Sequence, residues 1–297
     1  MRPSAIARSA QERLPLNRLA LVTLVLALVS LWAALLPGMA WAAPKAEAWE
    51  RWRAHTPGST LTVDNSAWAA FISKYLVLGA DGVARLPYGQ VSGEDYSALV
   101  GYVRALEAVN PDSLDRPEQM AYWFNFYNAL TVRVVLDAWR QDGPVDSIRD
   151  IDISPGLFAN GPWGAKLVTV NGIELSLDDM EHRILRPLWR DPRIHYGVNC
   201  ASIGCPNLLP EPLSGATVDQ QLTEAAIAYV NHPRGVTMTN GGPVVSTIYR
   251  WFREDFGDSE AGVLNHLRQY AAPALLQQLQ GVSDLAGHAY DWDLNAP

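Results

Sequence analysis

Apolar positions recur at helical spacing from Asp64 onward, where Trp68, Phe71, Ile72, Tyr75 and Leu76 fall on one side of a helix capped by Asp64 and ending near Gly79. Asp81-Gly82 then marks a turn. A second helix is predicted from Ser92, with Asp95 three places on; it carries Tyr96, Leu99, Val100, Val103 and Leu106 on its apolar face and stops before Asn110-Pro111. The third, from about Pro117 to Trp139, differs in kind. Between Met120 and Leu136 it is apolar around nearly its whole circumference, so the pattern predicts a central helix covered on several sides.

Beyond residue 156 the pattern changes to short β-prone runs. Lys166–Val170 and Ile173–Leu175 flank Asn171-Gly172, a dipeptide whose tolerance of positive φ predicts a tight hairpin. Ser176 with Asp179 starts a short helix over Leu177–Arg186 that Pro187 is expected to end. Ile194–Asn199 reads as a short strand, and Thr217 caps a helix with Leu222, Ala225, Ala226, Tyr229 and Val230 on one face. A second hairpin pairs Val236–Thr239 with Val244–Thr247, and a last helix runs from about Glu260 to Leu279. Helices first and hairpins later predict an α+β fold, mainly helical, with a small antiparallel sheet of hairpins.

The amino end stands outside this pattern. Arg2, Arg8, Arg13 and Arg18 precede an apolar run from Leu19 to Leu36, which leads into Ala40-Trp41-Ala42, a small-x-small cleavage pattern. Residues 1–42 are therefore expected to be an export signal, or an uncleaved membrane anchor, since the run is just long enough to span a bilayer. A lead-in follows over residues 43–60, then one globular domain over 61–297, without low-complexity linker or internal repeat. The expected location is periplasmic or secreted.

Charge and composition narrow the partners. Removing residues 1–42 takes away four arginines and one glutamate, which moves the formal charge from −8 to −11 over the remaining 255 residues. Such an acidic chain lacks the footprint for nucleic acid or, beyond its amino-terminal signal or anchor, for anionic membrane. A peptide, an envelope component or a small molecule remains as partner. At 48% apolar and 18% charged residues, the chain is also neither disordered nor polytopic.

Several polar residues stand where the pattern does not call for them. Asn125 and Asn128 lie three apart on the apolar third helix; buried amides need partners, so they either tie down loop backbone or line a cleft and orient a substrate. Glu181 and His182 sit on the short helix, where successive side chains diverge by about 100° and only one is expected to face a given cleft. Arg193, after Asp191-Pro192, serves either an ion pair with Asp191 or Glu181 or a carboxylate clamp.

The chain has two cysteines, and His195, Cys200 and Cys205 are spaced His-x4-Cys-x4-Cys. Export favours a Cys200–Cys205 disulfide that staples the loop. Alternatively, Cys205 or Cys200 is a nucleophile with His195 or His182 as base, although a straight strand would hold His195 and Cys200 on opposite faces. Zinc is the third reading; the spacing is looser than the paired thiols of a structural site, so no metal or other cofactor is expected. GxGxxG, P-loop, GxSxG and HExxH motifs are missing.

Five blocks carry a resemblance: Ala121-Tyr-Trp-Phe-Asn-Phe-Tyr-Asn-Ala-Leu130, Glu181-His-Arg-Ile-Leu-Arg186, Asp191-Pro-Arg-Ile-His-Tyr-Gly-Val-Asn-Cys200, Cys205-Pro206 and Ile248-Tyr-Arg-Trp-Phe-Arg-Glu-Asp-Phe256. Across roughly residues 90–257 the chain resembles the domain of unknown function 547 family. The resemblance implies attention to Asn125, Asn128, Glu181, His182, Arg193, His195, Cys200 and Cys205 without assigning their roles, because the family's activity is unassigned. Two functions follow as expectations: a cysteine/histidine-dependent hydrolase or acyl transferase, or a non-catalytic envelope binding module stapled by the disulfide.

Overall fold

A helix that cannot turn a polar face to water must be wrapped by the rest of the chain, and this requirement organises the molecule. The computed structural model describes residues 44–156 and 160–297; the export-signal reading of residues 1–42 lies outside them. Helix α1 (Ser66–Tyr75), a two-stranded hairpin β1 (Val77–Leu78) and β2 (Ala84–Arg85), and helix α2 (Gly93–Ala108) lead to α3 (Arg116–Asp142). Ser92 caps α2 by accepting the Asp95 amide, as the spacing predicted. Helix α3 buries an unbroken run from Glu118 to Val132, and its aromatic side chains interlock with Trp52 of the lead-in segment.

Next come β3 (Val168–Val170) and β4 (Ile173–Leu175), paired antiparallel with Asn171 and Gly172 both at positive φ in the turn. A π-helical segment, Asp179–Leu185, runs directly into α4 (Arg186–Trp189). The remaining elements are α5 (Ile194–Gly197), α6 (Val218–Val230), β5 (Val236–Thr239), β6 (Gly242–Ser246), α7 (Ile248–Trp251), α8 (Glu260–Tyr270), α9 (Pro273–Leu279) and β7 (Gly287–Ala289). The fold is mainly helical α+β, with one addition to the hairpins: β7 joins β6 in parallel.

Three local expectations are corrected. Ile194–Asn199 is not a strand; Asp191 accepts the Arg193 amide with its carboxylate and the Ile194 amide with its carbonyl, so Asp191-Pro192-Arg193 starts α5. The last helix is two, because Pro273 cannot continue α8 and starts α9 instead.

Pro187 does not end its helix either. Proline has no N–H to offer the carbonyl one turn back, and the backbone widens into a π-turn in which the Arg186 amide reaches Glu181 O. The His182 and Arg183 carbonyls accept instead from the Glu47 and Trp49 amides at 3.1 and 3.0 Å. The lead-in is thereby docked onto the helix that carries Glu181 and His182.

Two apolar cores result. One surrounds α3; the other gathers Tyr196, Tyr229, Tyr249, Phe256 and Leu267 around α6, α7 and α8. Helix α5 sits at their seam, with Ile194 in the first core and Tyr196 in the second. His195 lies between these residues. Among the described residues no helix is long and apolar enough to cross a membrane.

Candidate functional site

Four chain segments bring titratable groups to that seam. The π-turn supplies Glu181 and His182, α4 supplies Arg186, α5 supplies His195, and the turn after α7 supplies Asp255. His195 Nε2 lies 2.7 Å from Asp255 Oδ2, and its Nδ1 lies 3.7 Å from Glu181 Oε1. Glu181 Oε1 is also 3.9 Å from His182 Nδ1, so the expectation that only one of the helical pair would face the cluster is overturned. The altered residue spacing of the π-turn brings both to the same place.

Arg186 ties the cluster together. Its Nε donates to Asp255 at 2.6 Å, Nη2 to Glu254 at 2.7 Å, and Nη1 to both Pro44 O and His182 Nδ1, at 2.7 and 3.0 Å. Because guanidinium only donates, His182 accepts at Nδ1 and its proton sits on Nε2, which points toward Asp178 Oδ1 at 3.6 Å. Phe252 caps the group; its ring stacks on His195 at 4.3 Å between centroids and 14° between planes.

Burial sets the charges. Glu181 is pushed up to about 8 by desolvation, with Arg186 opposing, so its carboxyl is protonated at neutral pH. Desolvation lowers both His182 and His195, the latter against the pull of Asp255, so both imidazoles are neutral. Burial alone would raise Asp255, but the His195 and Arg186 hydrogen bonds outweigh it and hold Asp255 ionised. Asp178, at the rim, is raised to about 6 by burial and by the neighbouring Asp179. A neutral acid, two neutral imidazoles and an ionised carboxylate thus share one buried, low-dielectric cluster.

The thiol loop lies beside this cluster. Cys200 is half-buried and Cys205 buried; in place of the expected staple stand two free thiols with sulfurs 2.9 Å apart. Cys200 Sγ also contacts Ser202 Oγ at 3.2 Å and Tyr290 Oη at 3.1 Å. Neither sulfur is hydrogen-bonded to either imidazole. Hydrogen bonds from Cys205, Ser202 and Tyr290 hold Cys200 below the ordinary thiol range against its desolvation, whereas burial raises Cys205. The Cys200 charge in turn contributes to the raised Glu181 carboxyl, which ties loop and cluster electrostatically.

Asn128 explains how the loop is held. Its Nδ2 donates to Gly197 O at 2.9 Å and its Oδ1 accepts from Asn199 N at 2.9 Å, which pins the backbone next to Cys200. Asn199 then accepts from Ala201 N and donates to Pro206 O, closing the loop around the thiols. Asn125 uses both ends of its amide on the Leu213 backbone and lies apart from the cluster. Arg193 is also elsewhere, paired with Asp191 at 2.6 Å and Asp219 at 2.8 Å on the α6 side.

Sequence reading did not single out Asp255, Arg186, Ser202 or Tyr290. Arg186 and Asp255 stood in the family-like blocks without a role; Tyr290 comes from a segment with no motif. Half-buried Trp163, Trp251, Tyr290 and Trp292 form one packed aromatic surface at the rim, with ring centroids 4.7–5.8 Å apart. A cavity of about 560 Å³ opens elsewhere, lined by Leu76, Leu78, Leu208, Tyr229 and Arg234 among others, and holds none of the site residues named above. Among the described residues no group of three or more His, Cys, Asp or Glu side chains could hold a metal ion.

No curated protein and no solved structure matches the chain. Residues 111–230 match the family described as "Protein of unknown function, DUF547", a span that holds α3, Glu181, His182, His195 and both cysteines. Over this segment, and not over the whole chain, the protein is similar to the domain of unknown function 547 family.

Proposed function

We propose that the protein is a thiol-dependent hydrolase or acyl transferase of the cell envelope, with Cys200 as nucleophile and Glu181 as general acid. The observation that carries this reading is a half-buried thiol, in contact with the Ser202 and Tyr290 hydroxyls, whose charge is linked electrostatically to a protonated buried carboxyl. A thiolate stabilised by neighbouring hydrogen-bond donors needs no histidine to deprotonate it. It attacks the acyl carbonyl carbon, and the leaving group takes the Glu181 proton as its bond to carbon breaks. Water, or an acceptor alcohol or amine, then attacks the thioester while Glu181 takes a proton back and the Cys200 sulfur leaves.

In this reading His195 and Asp255 act as positioning residues. They keep a neutral imidazole beside Glu181, and Phe252 excludes water from it. The export expected from the amino-terminal pattern places the substrate among acylated or peptide components outside the cytoplasm.

The experiment is a hydrolysis and transfer screen of the reduced protein on activated esters, thioesters and peptide amides. Cys200→Ser and Glu181→Gln are run as paired variants, with thermal melts as a folding control. The expected result is turnover lost in Cys200→Ser and lowered at least about 100-fold in Glu181→Gln. Turnover that survives Cys200→Ser refutes the assignment. Iodoacetamide labelling of Cys200 no faster than that of a free model thiol at pH 7 would refute the activated thiolate even without a substrate in hand.

A further inference from the structure

We propose that Cys200 and Cys205 form a reversible dithiol/disulfide couple, in which Cys200 exchanges with an external disulfide and Cys205 resolves the mixed disulfide. This activity shares Cys200 with acyl transfer but does not rest on it, because it needs only the two sulfurs and the loop that holds them.

Exchange requires an accessible sulfur that attacks first and a second sulfur, shielded from solvent, placed to attack the first. Cys200 is the accessible one; Cys205 lies beneath it, with its Sγ 2.9 Å from Cys200 Sγ and within 3.0 Å of the Cys200 amide. Moving from this contact to a bond of about 2.05 Å takes roughly 1 Å of side-chain adjustment. The backbone is already curled for it. Ala201 adopts φ of +58°, and the Cys205 amide closes a turn onto Ser202 O at 3.1 Å. An L-residue in the left-handed region persists only where its surroundings fix it.

Those surroundings are the C-terminal segment, which grips the loop at three points between the two cysteines. Ile203 N donates to Asp293 O and Gly204 N to Asp291 O, both at 2.8 Å, and Asn295 N donates to Ala201 O at 3.0 Å. A Cβ at Gly204 would come 2.7 Å from Asp291 backbone atoms, so only glycine permits this approach. Tyr290, on the same segment, supplies the hydroxyl 3.1 Å from Cys200 Sγ, and Ser202 Oγ bonds that hydroxyl at 2.8 Å. These donors favour the thiolate as attacking and as leaving group, whereas a purely structural cystine needs neither of them.

The chemistry balances with glutathione disulfide as co-reactant. The Cys200 thiolate attacks one sulfur, forms a Cys200–glutathione mixed disulfide and expels a glutathione thiolate. Cys205 gives up its proton to that thiolate, its sulfur attacks Cys200 Sγ, and the second glutathione leaves as thiolate and takes a proton from solvent. The net reaction consumes one glutathione disulfide and two protein thiols, and yields one protein disulfide and two glutathione thiols.

The test uses the full chain, reduced and then exposed to glutathione disulfide, with acid-quenched samples read by mass spectrometry. Wild type is expected to pass to the internal disulfide without accumulating an adduct. Cys205→Ser is expected to hold the glutathione adduct on Cys200, and Cys200→Ser to react at least tenfold more slowly. The wild-type disulfide should also titrate back to dithiol as the ratio of reduced to oxidised glutathione rises. Equal reaction at the two cysteines, or a disulfide that resists reduction at every ratio, overturns the proposal; the second outcome marks a structural staple. Thermal melts of both serine variants separate a lost reaction from a lost fold. The acyl-transfer screen on reduced protein reads the other activity independently.

Discussion

Glu181 is the residue whose charge state most directly reports the polarity of the site, and replacing it with glutamine tests that polarity as a stability measurement. The residue is 7% exposed, and its carboxyl is raised from 4.5 to about 8, mainly by burial. A carboxyl raised by folding favours the protonated native state, so the stability it contributes is fully present below pH 4.5 and is lost as the pH rises through 8. At about 1.36 kcal/mol for each tenfold change in proton affinity, the whole effect is on the order of 5 kcal/mol, of which about 3 kcal/mol falls between pH 5 and pH 8. Glutamine mimics the neutral acid at every pH and lacks this dependence.

The assay is urea denaturation of wild type and Glu181→Gln at several pH values, followed by far-UV circular dichroism. The difference between the two free energies isolates Glu181, because Asp178 and the histidines titrate in both proteins. It should swing by about 3 kcal/mol in favour of the variant as the pH rises from 5 to 8. A difference that stays constant within about 0.5 kcal/mol across that range means that Glu181 is ionised in the native state at neutral pH, and the general-acid role fails with it.

Asn128→Ala leaves buried Gly197 O and Asn199 N without partners and is expected to cost about 2–5 kcal/mol; Asn125→Ala should cost a similar amount, but only the Asn128 variant should alter the alkylation rate of Cys200. Removing Arg186, which is 2% exposed and meets two carboxylates, should cost about 3–5 kcal/mol in a thermal or urea melt, whereas removing the more exposed Arg193 should cost less than about 1 kcal/mol. Phe252→Ala uncovers the His195 ring and should move its pKa upward toward 6.5, as read by NMR titration of the imidazole; an unchanged value would mean that Phe252 contributes no desolvation.

Much of the scaffold was legible from residue pattern alone, because the signals were local. The apolar circumference of α3 required burial, Ser92 and Asp95 required a cap, and Asn171-Gly172 required a turn with positive φ. Where the reading failed, the deciding group came from elsewhere. Pro187 stops an isolated helix, but here Glu47 and Trp49 donate to the carbonyls near it, from a segment some 135 residues away in sequence. Ile194–Asn199 has strand-like composition, yet the turn that Asp191 closes with the Arg193 and Ile194 amides leads into a helical turn over Ile194–Gly197, where His195 meets Asp255.

By itself, the sequence determined which polar residues would be anomalous: amides on an apolar helix, and histidines and cysteines in a hydrophobic setting. Only the tertiary structure decided which of them meet. Asn125 and Arg193 found partners outside the site, while Arg186, Asp255 and Tyr290 came into it from three separate segments. The physical reason is range. Propensity, capping and periodicity act over a few residues, whereas desolvation and hydrogen bonding depend on whatever the folded chain places within a few ångströms, and that is fixed only when both cores close around the seam.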